Sequence, residues 1–273
     1  MKLRMLTTAV AAATALFAGA AQAVIIDTFE DPIVGSHEAT AQGVGNSTAV
    51  NFGDGTSTSI IGGYRDLIAI VNADTTGVGT KRTTMEVAGG GLSFSNSSGT
   101  DGTGIVRWDG DADASTVSYS LGADLINQAG CPVLGCNQFI STVIEADLGF
   151  QYKIGVYTDA TNYSILTAFT QEEITSPTTV NYLFDWFLLP ENDITDPTDF
   201  YFLGGLAFTI ESEGAVDFTN VGMLDFTINT GGKANVDLTL DSISKTGVPE
   251  PGALALVGVA LLGAAAARRS RKA

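Results

Sequence analysis

The sequence predicts an all-β body, a single antiparallel β-sandwich of the jelly-roll kind, and three observations predict it. Apolar and polar residues alternate at period two in many short runs. Those runs are rich in β-branched and aromatic residues and are bounded by Gly, Asn, Asp or Pro. Between Val24 and Lys245 no segment keeps a 3.6-residue apolar stripe over three turns; Ala123 to Gln128 comes nearest and is too short. Without helices to cover a parallel sheet, these strands must bury their apolar faces as two antiparallel sheets packed together. The span 24–245 is long enough for one such domain.

Residues 1–23 read as a secretory signal. Lys2 and Arg4 precede an apolar run, and the small residues Ala21 and Ala23 set a cleavage site that leaves Val24 as the mature start. Strands are then expected over Arg65 to Val71, Thr83 to Val87, Leu92 to Ser95, Ile105 to Trp108, Thr116 to Leu121, Ile140 to Leu148, Tyr152 to Tyr157, Tyr163 to Phe169 and Tyr201 to Ile210. Val180, Tyr182, Phe184, Trp186 and Leu188 alternate as a further strand, with Leu183 and Phe187 pointing to burial on both faces. The cleanest alternation is in Leu224 to Asn229 and Val236 to Asp241. Gly-rich stretches at Gly43 to Ser59 and Gly89 to Gly104 read as long surface loops. Cys131 and Cys136 flank Pro132 and Gly135; in an exported chain they are expected to close a small disulfide loop, while half of a zinc site is the alternative.

The last segment, 246–273, is tripartite. A Val248-Pro249-Glu250-Pro251 motif leads into an apolar helix over 253–267, closed by Arg268, Arg269, Arg271 and Lys272. Fifteen residues of helix reach about 22 Å against about 30 Å of hydrocarbon, short for a permanent anchor. The basic end would stay on the cytoplasmic side.

Charge excludes one class of partner. The span 24–247 carries seven basic and 29 acidic residues, a net −22, which repels phosphate backbones, so no nucleic acid is expected. Divalent cations fit better. Asp109, Asp111 and Asp113 stand at alternate positions, as the first ligands of a calcium loop do, but Ala114 and Ser120 break the EF-hand pattern. Asp193, Asp196 and Asp199 form a second acidic run. Each is either a calcium site or a solvated turn. Glu145 and Asp147 share a strand face and are the sort of pair a glycosidase needs, or else an ordinary solvent-facing alternation. The single histidine, His37, reads as a surface residue and has no nucleophile motif near it. Tyr64, Trp108, Tyr119, Tyr157, Tyr163 and Trp186 are the rings that could stack on sugars or fill the core.

Two resemblances follow from these motifs. Pro249-Glu250-Pro251, the run from Ala253 to Gly258 and the Arg-rich end resemble the PEP-CTERM sorting signal of Gram-negative bacteria. That implies an exosortase-type membrane transpeptidase as partner, transient anchoring in the inner membrane, and delivery to the cell surface or an extracellular matrix associated with exopolysaccharide and biofilm. "IIGGYRDLIAIV" and "GGLSFSNSSGTDGTGIVRWDG" are similar to stretches of other exported proteins with this tail. The opening "VIIDTFEDP" and the closing "NVDLTLDSIS" resemble the first and last strands of carbohydrate-binding-module and galactose-binding-like jelly rolls. This resemblance implies neighbouring end strands and a structural calcium held by Asp27 or Glu30 together with Asp241. The expected function is a noncatalytic matrix protein that binds exopolysaccharide; a structural or adhesive surface protein and a secreted polysaccharide-active enzyme are the alternatives.

Overall fold

The computed structural model describes residues 24–30, 37–126, 137–170, 173–192, 200–203 and 206–245. The signal segment, the two cysteines, Asp193, Asp196, Asp199 and the sorting tail lie outside the described residues. Among the described residues no helix is long and apolar enough to cross a membrane.

Fifteen strands are described: β1 (Val24–Asp27), β2 (His37–Gln42), β3 (Ser47–Gly53), β4 (Tyr64–Asp74), β5 (Arg82–Ala88), β6 (Gly91–Asn96), β7 (Thr100–Trp108), β8 (Gln138–Ala146), β9 (Gln151–Asp159), β10 (Asn162–Phe169), β11 (Thr178–Leu183), β12 (Tyr201–Leu203), β13 (Leu206–Glu213), β14 (Met223–Ile228) and β15 (Asp237–Lys245). They form two antiparallel sheets. Seven strands run β11-β8-β15-β6-β5-β2, with β1 also paired to β15; eight run β12-β13-β10-β9-β14-β7-β4-β3. The expected sandwich is the fold observed, and the end strands β1 and β15 are neighbours, with Val24 opposite Lys245.

Alternation decides which side chains meet between the sheets. Leu67, Ala69 and Val71 of β4, Val106 and Trp108 of β7, and Leu224, Phe226 and Ile228 of β14 point inward from the larger sheet. Met85, Leu92, Phe94, Leu238 and Leu240 meet them from the smaller one. The sheets come so close over β7 that its inward position 104 must be glycine: a Cβ there would lie 2.2 Å from Met85 Sδ. Bulges in β15 near Leu240 and Ser242 change the phase, so Ile243 and Lys245 face inward.

Five expectations are corrected. Tyr201 to Ile210 is not one strand: it holds β12 and the start of β13, which pair antiparallel with Tyr201 opposite Phe208. The stretch Gly43 to Ser59 contains strand β3, and Gly89 to Gly104 contains β6 and the start of β7. Thr116 to Leu121 forms no strand; it lies in a loop. The 180–188 alternation breaks at Phe184, where a 3-10 turn (Phe184–Leu188) buries Phe184, Trp186 and Phe187 and turns Leu188 outward. His37 is buried at 7% exposure, its ring stacked on Phe52 at 4.1 Å and 5°.

Candidate functional site

Polar chemistry gathers in two places. The first is sealed inside the sandwich at the corner where β1 enters. Asp27 is fully buried. Its carboxylate accepts bonds from Arg65 Nη1 at 2.8 and 2.9 Å, from the Trp108 indole N–H at 2.9 Å and from the Phe29 amide at 2.8 Å. Burial pushes its pKa up, while the Arg65 guanidinium and these donors pull the other way. Arg65 points inward because β4 alternates, and its guanidinium also lies 5.6 Å from the centre of the Phe29 ring. This cluster is a clasp between the first strand and the larger sheet.

The second place is the outer face of the eight-stranded sheet. Register aligns side chains there in rows across the strands. One row runs Glu211, Ile165, Gly155, Asp225, Arg107, Asp66 and Asn51, from β13 to β3. The next runs Thr209, Thr167, Lys153, Thr227, Ile105 and Ile68. An open cavity of about 690 Å³ is lined by Asn72, Asp101, Thr103, Gln151, Lys153 and Tyr157 among others, with Asp225 and Thr227 in its floor. A cavity of about 450 Å³, lined by Lys153, Thr167, Glu191, Asn192, Thr209 and Glu211, adjoins it at Lys153. Together they make a trough across six strands, about 24 Å at about 4.8 Å per strand step.

Loops wall this trough. The 109–121 loop is tied down over β7 and β4: Arg107 bridges Asp66 at 2.6 Å and donates to the Ala114 carbonyl at 2.9 Å, and Asn51 donates to the Asp111 carbonyl at 3.2 Å. Its end is fixed to Gly222, which accepts from the Leu121 amide and itself donates to the Tyr157 carbonyl. Tyr119 is thereby held against Tyr157 with ring centres 6.2 Å apart, and Tyr163, the register partner of Tyr157, lies at 5.6 Å on its other side. Three tyrosines are therefore neighbours, and Tyr157 is the one that lines the trough.

Tyr157 is held in place from below. Its hydroxyl donates to Asp225 Oδ2 at 3.2 Å, and the Gly155 amide donates to Oδ1 at 3.1 Å. Position 155 must be glycine for the ring to lie there, since a Cβ would stand 2.5 Å from both Asp225 Oδ1 and Tyr157 Cε2. Burial pushes the Asp225 carboxyl up to about 6, against the pull of the Tyr157 hydroxyl. Burial and the Asp225 charge push the Tyr157 phenol well above its ordinary range, so it stays a neutral donor.

The candidates from the sequence fall out as follows. Of the six rings, Tyr119, Tyr157 and Tyr163 come together; Trp108 and Trp186 are core, and Tyr64 lies at the start of β4 away from the row. Asp27 is committed to Arg65 and Trp108, which leaves Glu30 as the alternative at that end of the expected cation site; Glu30 and Asp241 are both exposed. Asp109, Asp111 and Asp113 do not converge. Each accepts an amide two residues on, from Asp111, Asp113 and Ser115, so the carboxylates fan out along the loop. Among the described residues no three metal-ligating side chains gather. Glu145 and Asp147 are exposed beside Glu173 and Asp237 on the other sheet, lining a separate cavity of about 530 Å³. The sequence does not distinguish Asp225 and Lys153, because both read as ordinary polar positions of an alternating strand. Gly155, a glycine inside an otherwise regular strand, was the available signal.

Residues 247–272 match the PEP-CTERM protein-sorting motif. No curated protein matches the chain. Among solved structures, the chain is similar to the family 11 carbohydrate-binding module of the cellulosomal cellulase Lic26A-Cel5E of Clostridium thermocellum, at 11% identity and a TM-score of 0.36 over 85% of this chain and 98% of that one. It is also similar to a family 11 module from Clostridium thermocellum in complex with a β-1,3-1,4-mixed-linked tetrasaccharide, at 11% identity and a TM-score of 0.33 over 78% and 98%.

Proposed function

We propose that this is an exported, noncatalytic glycan-binding protein of the bacterial surface or extracellular matrix, sorted through its tail by an exosortase-type transpeptidase after transient anchoring in the inner membrane. The sorting motif at 247–272 supports the route. The observation that carries the binding reading is the group of Tyr119, Tyr157 and Tyr163, of which Tyr157 lines an open trough together with Asn72, Thr103, Gln151, Lys153 and Thr227. A pyranose has an apolar C–H face and a hydroxyl rim, and this surface offers rings for the first and amide, hydroxyl and ammonium groups for the second. Trough length suits a chain of several sugars better than a monosaccharide. Asp225, the carboxylate beneath Tyr157, is already engaged by the Tyr157 hydroxyl and the Gly155 amide, which favours binding over hydrolysis.

The test is retention of the exported protein on the producing cell's exopolysaccharide and on a panel of soluble glycans, first with calcium and then with chelator. Retention is expected on at least one glycan, with Tyr157→Ala and Tyr119→Ala each weakening it by about tenfold, and with the exposed Tyr119→Ala leaving the urea midpoint nearly unchanged. Loss of retention on chelation would restore a role for calcium. Absence of retention on every glycan, with and without calcium, would sink the reading and favour a structural or adhesive protein.

A further inference from the structure

The charge around the trough narrows the class of glycan it can take. Across the two adjoining cavities the carboxylates are Asp101, Asp225, Glu191 and Glu211, with Lys153 the only cation among the described lining residues. Lys153 lies where the cavities join and is itself turned toward a carboxylate, its Nζ 3.7 Å from Glu211 Oε2. Arg107 flanks the floor, but Asp66 accepts from its Nε and Nη2 at 2.9 and 2.6 Å and the Ala114 carbonyl accepts from Nη2, so its charge is spent under the 109–121 loop. Around this face the body carries a net −22 over 24–247.

We infer that the trough is specific for polysaccharides free of carboxylate and sulfate groups, and that it rejects uronate-rich and sulfated chains. This inference rests on the glycan-binding reading and adds the substrate class to it. A neutral chain meets hydroxyl, amide and carboxylate acceptors that suit sugar hydroxyls. A polyanionic chain laid on the same path would bring its charges beside four carboxylates with one partly neutralised ammonium to meet them, and like charges forced together at an interface act as a discriminator. The distant charges of the body add long-range repulsion, which salt removes; the local carboxylates act within a few ångströms, where salt acts less.

Two probe pairs isolate charge from backbone: hydroxyethylcellulose against carboxymethylcellulose, and dextran against carboxymethyldextran. Titrating the exported protein with each, at 0.15 M and at 1 M salt, measures the preference. The neutral member of at least one pair is expected to bind, and its carboxymethylated form to bind about tenfold more weakly or worse at both salt concentrations. The double variant Asp101→Asn, Glu211→Gln is expected to narrow that gap at 1 M salt, the gap being read as the ratio of the two affinities. Equal or tighter binding of a carboxymethylated chain by the wild type overturns the inference, as does a gap that the double variant leaves unchanged at 1 M salt. Failure of all four probes to bind counts against the glycan reading itself, a result separable from loss of charge preference alone.

Discussion

Asp27 and Asp225 are two carboxylates withdrawn from water on opposite sides of the same sheet, and they are held in different ways. Asp27 is inside the sandwich and meets a guanidinium, an indole and an amide. Asp225 is on the outer face, half-buried, and meets a tyrosine hydroxyl and an amide, with no direct ion pair among the described residues. The first is neutralised and locks a strand in place. The second is left with charge that burial opposes, and its use is to aim a ring at the open trough. Pairing with a buried cation makes a carboxylate structural; pairing with a neutral donor at a surface keeps it responsive to pH and to whatever lands on Tyr157.

The largest effect that separates them is on stability. Asp27→Ala leaves the Arg65 guanidinium buried without its carboxylate and strips the Trp108 indole N–H of its acceptor. Breaking a buried pair in this way costs about 3–5 kcal/mol, a large part of the roughly 5–15 kcal/mol that a domain has. Urea unfolding followed by tryptophan fluorescence should show the midpoint falling accordingly. A loss under about 1 kcal/mol would mean that the clasp is no stronger than a surface ion pair.

A smaller effect should appear at the trough. Gly155→Ala puts a methyl group within 2.5 Å of Asp225 Oδ1 and Tyr157 Cε2, so the ring must lift or the strand must shift. Overpacking of this kind costs about 1–3 kcal/mol in stability. Affinity for any retained glycan should fall by about tenfold because the row of three rings is broken at its middle member. Stability lost with affinity intact would show that the Tyr157 ring is packing only.

Much of the fold is legible in the sequence, and the exceptions have physical causes. Strands β4, β9, β10, β14 and the start of β15 announce themselves because each turns one face to the core, which imposes a largely alternating pattern that the β15 bulges interrupt near Leu240. β2 and β3 escape notice because they lie at the sheet edges, where half-burial tolerates Thr, Ser, Asn and Gly. The run from Phe184 to Leu188 imitates a strand because a 3-10 turn can also bury three aromatic residues in five. Of the candidate site, the tyrosines are visible as rings but their grouping is not. Tyr157 and Tyr163 are joined by strand register and Tyr119 by a loop pinned at Gly222, and neither relation is written in local sequence. The same holds for Asp27: its neighbours Arg65 and Trp108 are 38 and 81 residues away, so nothing nearby distinguishes a clasp from a cation ligand.

The smallest effect sharpens the comparison most, because it gives opposite signs in two measurements. The Asp225 carboxyl titrates near 6 when folded, against an ordinary value of 3.8. A raised acid binds its proton more readily in the folded state, so the stability it contributes is fully present below about pH 4 and is lost as pH rises through about 6. Aiming of the ring runs the other way. The ionised carboxylate is the stronger acceptor for the Tyr157 hydroxyl, so glycan affinity should rise severalfold between about pH 5 and 7. Lys153 and Arg107 are the cations near this carboxyl. Asp225→Asn removes the titrating group while keeping a carbonyl acceptor. It should flatten the affinity profile, and the pH-dependent stability difference between wild type and variant should take the sign given above. An affinity profile that stays steep in Asp225→Asn would assign the pH response to another group in the trough and leave Asp225, like Asp27, a purely structural carboxylate.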